Sequence, residues 1–293
     1  MKKFSLKHSF MAVCLLTALL ALTLTGCGAS SDGTQTYAWP LGTSSPEDTV
    51  TQIYAERFAE EVSRLSDGKM RIQVYPNSIV GGDRELLESC KDGGYELLGY
   101  ADQGFRVMTS NKDVYTANDL KGQKIRTMEN PYHLLFWKSL GANPTPMTFS
   151  EVYIGLQQGT IDAQENPYEV IVSNRLYEQQ DYVIETNHLP HLIALIVSSE
   201  FMDSLPEDQQ AIIREAAETA KMEARQASDE RIASRSATIE ESGSQINRLT
   251  EENMLVIRQK CVPVYDLIEE NVSPSLVEAY CGKELEEIRA MVP

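Results

Sequence analysis

The chain has 293 residues, with 26 Lys and Arg against 43 Asp and Glu, a formal net charge of −17. An exterior this acidic excludes nucleic acid and anionic lipid as preferred partners, and a small anion bound to it needs local positive charge. The length allows one large domain or two small ones.

The chain opens on a targeting segment. Lys2, Lys3 and Lys7 form a basic start, and Phe10 to Leu24 is an apolar run too short for a stable membrane span. Leu24-Thr25-Gly26-Cys27 follows and resembles a bacterial lipobox, in which Cys27 carries the lipid and becomes the first mature residue. An ordinary secretory signal cut nearby is the alternative, and both export the chain. Residues 1–26 are read as the signal and 27–35 as a flexible tether. Removing 1–26 takes away three lysines and no acid, so the formal charge moves from −17 to −20. No second apolar run is long enough to span a membrane.

Folded structure is expected from Thr36. A strand at 36–39 precedes Ser45-Pro46-Glu47-Asp48, where Ser45 caps a helix, Pro46 takes its first position and the acids favour its positive end. This helix runs to about Ser66, buries Ile53, Phe58, Val62 and Leu65, and stops at Gly68. Met70, Ile72 and Val74 alternate as a strand, and Asp83 to Lys91 reads as a helix with Leu86 and Leu87 inward. The order β-α-β-α begins a parallel α/β layer. Leu97–Ala101, Phe105–Thr109, Lys124–Thr127, Ile161–Ala163, Tyr182–Thr186 and Leu192–Ser198 read as further strands. Helices are expected over 131–140, over 151–158 behind a Ser150 cap, and from Pro167 to about Tyr177. Pro206 opens a run to Glu241 without Pro or Gly, a rod of roughly 50 Å at 1.5 Å per residue, with too weak an apolar seam for a coiled coil. The tail, 251–271 and 275–292, is helical.

Of the five cysteines, Cys14 leaves with the signal and Cys27 takes the lipid, so Cys261 with Cys281 is one available pairing and three free thiols, with Cys90, the other. No spacing suits zinc. His188-Leu-Pro-His191 is a weak metal signature without a third ligand. There is no G-x-S-x-G elbow, phosphate loop or Cys–His signature, so neither metal, cofactor nor catalysis is expected. The pairs Glu240-Glu241 and Glu269-Glu270 read as solvated helix faces.

The densest signal lies in 124–167. Lys124-Ile125-Arg126, Leu140-Gly141-Ala142, Pro144-Thr145-Pro146-Met147, Ser150-Glu151-Val152-Tyr153 and Gln164-Glu165-Asn166-Pro167 set arginine, aromatic and amide at strand–turn–helix junctions. With Gly104-Phe105-Arg106, Thr109-Ser110-Asn111, Asp119-Leu120-Lys121-Gly122 and the helix behind Leu205-Pro206, the chain from about Tyr95 to Ala217 resembles the solute-binding proteins of TRAP transporters, the DctP-like family. The resemblance implies two α/β lobes of the periplasmic-binding-protein kind around a cleft, with a long helix spanning both. It also implies capture of a dicarboxylate, keto acid or sugar acid for delivery to membrane permease subunits, without catalysis.

Arg126 is the leading site residue, because a guanidinium grips a carboxylate through two parallel hydrogen bonds; a surface salt bridge is the alternative. The resemblance assigns Arg126 as the carboxylate clamp and Arg106 as a second positive group, against an ion pair bracing Asp102 or Glu129. Asn166 offers donor and acceptor to a carboxylate or hydroxyl, or caps the helix at Pro167. Phe149 is a wall against the ligand or core packing. Glu165 belongs to the site only if paired, since a bare carboxylate opposes an anion.

One departure from the family stands out. Roughly fifty to sixty residues expected between Lys91-Asp92-Gly93 and Gly99-Tyr100 are missing, a loss that opens a sheet and uncovers apolar faces. The expected organisation is therefore a first lobe at 36–100 that is incomplete, a second at 101–205, the spanning helix at 206–241 and a closing helical segment at 242–293. The protein is placed at the outer face of the cytoplasmic membrane or in the periplasm, anchored at Cys27. An exported relic or sensory binding protein that no longer serves transport is the alternative function.

Overall fold

The computed structural model describes residues 36–90 and 94–292. The signal, the tether, Cys27 and the Lys91–Gly93 side of the shortened junction lie outside the described residues.

The smaller sheet pairs β1 (Tyr37–Gly42) with β2 (Met70–Tyr75), linked by α1 (Val50–Leu65). The Thr43 N–H donates to the Tyr75 carbonyl at 3.0 Å, so the two C-terminal ends lie together and the strands are parallel, as expected. The cap differs from expectation. Thr49, not Ser45, accepts from the Gln52 N–H, and its own hydroxyl bonds the Pro46 carbonyl. The Ser45-Pro46 turn therefore precedes the helix rather than starting it. Gly68, at φ 74°, ends α1 in a conformation that suits glycine. α2 (Asp83–Ser89) buries none of its side chains, and Leu87 is exposed where it was expected inward.

The larger sheet has the order β5-β4-β6-β3-β7-β8. β3 (Tyr95–Ser110) and β7 (Tyr182–Ser198) are single long strands where the sequence suggested two pairs of short ones. Their ladder survives through register shifts at Leu97/Gly99, Asp102/Phe105 and Arg106/Met108, and Gly104 at φ 75° supplies the second of these. β4 (Lys124–Thr127) runs parallel to β5 (Asn143–Pro146) and to β6 (Ala163–Pro167), while β8 (Gln245–Arg248), not foreseen, closes the edge beside β7. α3 (Pro131–Ser139) begins where Asn130 Oδ1 accepts from the Tyr132 and His133 N–H groups. Around this sheet lie α4 (Val152–Gln157), which Ser150 does not cap, α5 (Tyr168–Ser173) and α6 (Ser199–Ser204). The tail forms α8 (Glu251–Lys260), α9 (Val262–Asn271) and α10 (Pro274–Met291), the first two separated at Cys261.

The 35-residue helix α7 (Glu207–Glu241) ties the two parts together. Its Ile213, Ala216, Ala217, Ala220 and Ala224 pack into one core with Tyr54, Phe58, Val62, Leu195 and Met202. Its Ile239 packs into another, with Val107, Val152, Leu156, Ile171 and Val183. The alanines let α1 and β3 approach α7 closely, which accounts for the weak apolar seam read in the sequence. The architecture is α/β and two-lobed, with α7 spanning both. Cys90, Cys261 and Cys281 are free, so the Cys261–Cys281 pairing does not form. Burial pushes the Cys261 thiol up to about 12.

The smaller lobe leaves apolar surface uncovered. Tyr95, Leu97, Tyr100 and Leu192 on β3 and β7 are exposed, as are Ile79, Val80 and Leu87. A two-stranded sheet depends on what packs against it, so this lobe is expected to unfold first. The two tryptophans report on separate cores, since Trp39 packs on the first and Trp137 lies within the second. In single-tryptophan variants the Trp39 signal should change about 1 M lower in urea than the Trp137 signal. Coincident transitions would contradict this.

Candidate functional site

Parallel pairing of β4 with β5 and β6 brings the C-terminal ends of three strands to one rim of the larger sheet, the edge where open α/β sheets present loops to ligands. Arg126 stands opposite Thr145 on β5 and Gln164 on β6. On the other side of β6 the antiparallel β3 sets Arg106 opposite Pro167 and Met108 opposite Glu165. β7 then adds Leu189 opposite Arg106. Residues distant in sequence thus converge: Arg106, Arg126, Glu165, Asn166, His133, His188 and His191.

Arg106 and Glu165 form the centre. Arg106 Nε donates to Glu165 Oε2 at 2.5 Å and Nη2 to Oε1 at 2.9 Å, a two-point grip between side chains that are 1% and 0% exposed. Nη2 also donates to the Glu165 carbonyl and to Asn166 Oδ1, at 2.6 and 2.9 Å. Nη1 lies 2.7 Å from His191 Nδ1. A guanidinium only donates, so His191 Nδ1 accepts and the ring proton sits on Nε2. His188 has the opposite arrangement. Its Nε2 faces the carboxylate at 3.1 Å and so donates, leaving Nδ1 to accept from the Thr186 hydroxyl at 2.8 Å. His188 stacks on Phe136, with ring centres 5.0 Å apart, and meets the edge of Trp137. His133 Nδ1 lies 3.4 Å from Glu165 Oε1.

These contacts set the ionisation of the cluster. Burial alone pushes the Glu165 carboxyl up, but the adjacent Arg106 charge and the hydrogen bonds from His133, His188 and Arg106 outweigh it and hold the group well below the usual carboxylate range. Burial pushes His188 down despite Glu165. Burial and then the Arg106 charge push His191 down to about 3.

A histidine that is neutral in the fold but free to titrate when unfolded lends stability that is complete above pH 6.5 and declines as pH falls. Between pH 7 and 5 the His191 part amounts to about 2 kcal/mol. Glu165 acts lower, its contribution being lost only as pH falls below the ordinary glutamate range. His191→Gln should therefore lose about 2 kcal/mol less than the unaltered protein over that interval, read from urea midpoints at the two pH values. Parallel losses would contradict the assignment.

Arg126 is held differently. Its Nε and Nη2 both donate to the Met147 carbonyl, at 3.0 and 2.7 Å, and its Cζ lies 5.5 Å from the Phe149 ring centre. It is 3% exposed, and among the described residues it enters no ion pair and Nη1 makes no hydrogen bond. Burial pulls this guanidinium down to about 10, with Glu165 opposing and Arg106 adding to the shift. The expected alternative of a surface salt bridge is not what the structure has.

The structure departs from three other expectations. Arg106 braces neither Asp102 nor Glu129; it is committed to Glu165, while Glu129 pairs with Arg84 and Asp102 accepts from the Gly104 N–H. Asn166 caps nothing, since Pro167 stands at the start of α5 without a side-chain cap. Its Nδ2 instead donates to Gln164 Oε1, and Gln164 bonds Thr109, which bonds Gln180. His188 and His191, set aside in the sequence, both join the cluster. Phe149 does pack on a core, while also lying beneath Arg126. The available signal for the histidines was that His133 follows β4 closely, while His188 and His191 fall between the two stretches expected as strands at 182–186 and 192–198. Among the described residues no group of His, Cys, Asp and Glu is arranged to hold a metal ion.

The model of the bacterial extracellular solute-binding protein family 7, DctP, matches residues 41–98 and 85–271. A solute-binding protein of Verminephrobacter eiseniae is 30% identical over 237 residues, covering 62% of this chain and 71% of that one. Since 62% of 293 residues is about 182, some 55 positions of that relative have no counterpart here. The two stretches of the family match overlap at 85–98, a span that takes in most of α2 and the first residues of β3. The 2,3-diketo-L-gulonate-binding periplasmic protein YiaO of Escherichia coli is 40% identical over 141 residues, 47% of this chain and 42% of that one. Among solved structures, a TRAP periplasmic solute-binding protein of Polaromonas, bound to D-erythronate, superposes with a TM-score of 0.78 at 26% identity, over 83% of this chain and 97% of that one. This chain belongs to the DctP family of bacterial extracellular solute-binding proteins.

Proposed function

We propose that this chain captures a small organic-acid anion outside the cytoplasmic membrane and delivers it to the permease subunits of a TRAP transporter. The observation that carries the reading is Arg126, a buried guanidinium that meets no acidic partner among the described residues, lying at the rim where three strands end. A buried charge without a counter-charge is costly unless a ligand supplies one. In this reading Arg126 turns its free Nη1 edge to the carboxylate, Phe149 walls the ligand, and Asn166 meets a hydroxyl. Arg106 and Glu165 neutralise each other and hold Asn166 and the histidines in place. Relatives that bind 2,3-diketo-L-gulonate and D-erythronate support a sugar acid as the ligand class.

The chain turns nothing over in this reading, and a lipid on Cys27 keeps it at the membrane, as Leu24-Thr25-Gly26-Cys27 suggests. Titration calorimetry against sugar acids, keto acids and short dicarboxylates tests the proposal. One or more should bind saturably with a dissociation constant in the micromolar range or tighter, unchanged on recovery. Absence of binding across the panel, or chemical conversion of a bound acid, would overturn it.

A further inference from the structure

The buried charges do not balance. Among the described residues the charged side chains of Arg106, Arg126, Glu165 and Glu169 are buried. Glu169 is met by Arg231 and Arg235 at 2.8 and 2.9 Å, and both of these also reach Asp48. Glu165 is consumed by Arg106. Arg84, which extends from α2 to Glu129 ahead of α3, carries Glu88 as well. Arg126 remains, a surplus of one positive charge.

The groups around it add hydrogen bonds but little further charge. A proton on His191 Nδ1 would point at the Arg106 guanidinium, so the ring stays neutral and keeps Nε2–H as a donor. His188 is occupied at both nitrogens, by Glu165 and Thr186. Asn166 retains one N–H beyond that given to Gln164, and Arg126 retains Nη1. The surplus is thus one cation accompanied by neutral donors.

Building on the binding function proposed above, we infer that the site selects a polyhydroxylated monocarboxylate over a dicarboxylate. One carboxylate cancels Arg126, and the remaining donors suit hydroxyl oxygens. Among the described residues a second carboxylate has no buried cation left to meet it, and it would lie in a poorly solvated site beside the ionised Glu165, where both desolvation and like charge oppose it. The depressed titration of His191 agrees, since that ring does not supply a second cation near neutral pH.

Matched pairs of acids separate charge from shape. Gluconate and glucarate share a carbon chain and hydroxyls, and differ at the second carboxylate, as do galactonate and galactarate. Calorimetry on the full chain at pH 8, above the ordinary histidine range, should show the monoacid of at least one pair binding ten or more times tighter than its diacid, with succinate weaker than the best monoacid. A diacid that binds as tightly as its monoacid in both pairs, or succinate as the best ligand, would overturn the selectivity while leaving anion binding in place. Failure of all five to bind while a keto acid binds would overturn this inference alone, and failure of the keto acids as well would overturn the binding function with it.

Discussion

Glu165→Leu should destabilise the protein by about 3–5 kcal/mol, the range seen when one partner of a buried ion pair is removed. The cause is the charge left behind. Arg106 is 1% exposed, and without Glu165 it loses its two-point acceptor while keeping only His191, the Asn166 amide and a backbone carbonyl. His188 loses the acceptor for its Nε2–H in the same step. The matched change of Arg106→Met in the Glu165→Leu background should recover much of the loss, because an apolar pair of similar volume is tolerated where a lone charge is not. Urea unfolding of the two single variants and the double variant measures this. A Glu165→Leu cost below about 1 kcal/mol would mean that the pair is far more solvated than its burial indicates.

Arg126→Met should have the opposite profile, with the fold kept and the ligand lost. Among the described residues this guanidinium bonds only the Met147 carbonyl and lies on Phe149, and it neutralises no acid. Removing it relieves a buried charge and costs one carbonyl its hydrogen bonds, effects of about 1–3 kcal/mol in opposing directions. Binding has no such compensation. Truncating a buried charge that pairs with a ligand costs about 2–5 kcal/mol, or roughly 30- to 5000-fold in affinity. Calorimetry with the tightest sugar acid reads the loss, and a thermal melt of the same sample shows whether stability is retained. Retained affinity would exclude Arg126 as the clamp.

Much of the larger lobe was legible because its signals are local. Asn130-Pro131 marks the start of α3, Gly141 its end, and Lys-Ile-Arg-Thr the short strand that carries Arg126. β3 and β7 were read as broken for a physical reason. Gly104, Asn187 and Pro190 interrupt the alternation, and Asn187 lies at φ 41°, yet neighbouring strands carry the chain across each interruption. Pairing between residues 106 and 165 depends on register across two strands, which short motifs do not encode. The alternative reading of Arg106, an ion pair with Asp102 or Glu129, thus named the wrong acid. His188 and His191 were judged by their separation along the chain, when their role follows from the neighbours that β3 and β6 bring to them. The uncovered face of the smaller lobe was foreseeable from the shortened junction before Tyr95.

The most direct measurement of the central claim is a crystal structure of the chain grown with its tightest-binding monocarboxylate. The carboxylate should lie within about 3 Å of Arg126 Nη1, with Arg106 still locked on Glu165 and a ligand hydroxyl on Asn166. A ligand seated away from Arg126, or a carboxylate that displaces Glu165 from Arg106, would contradict the account.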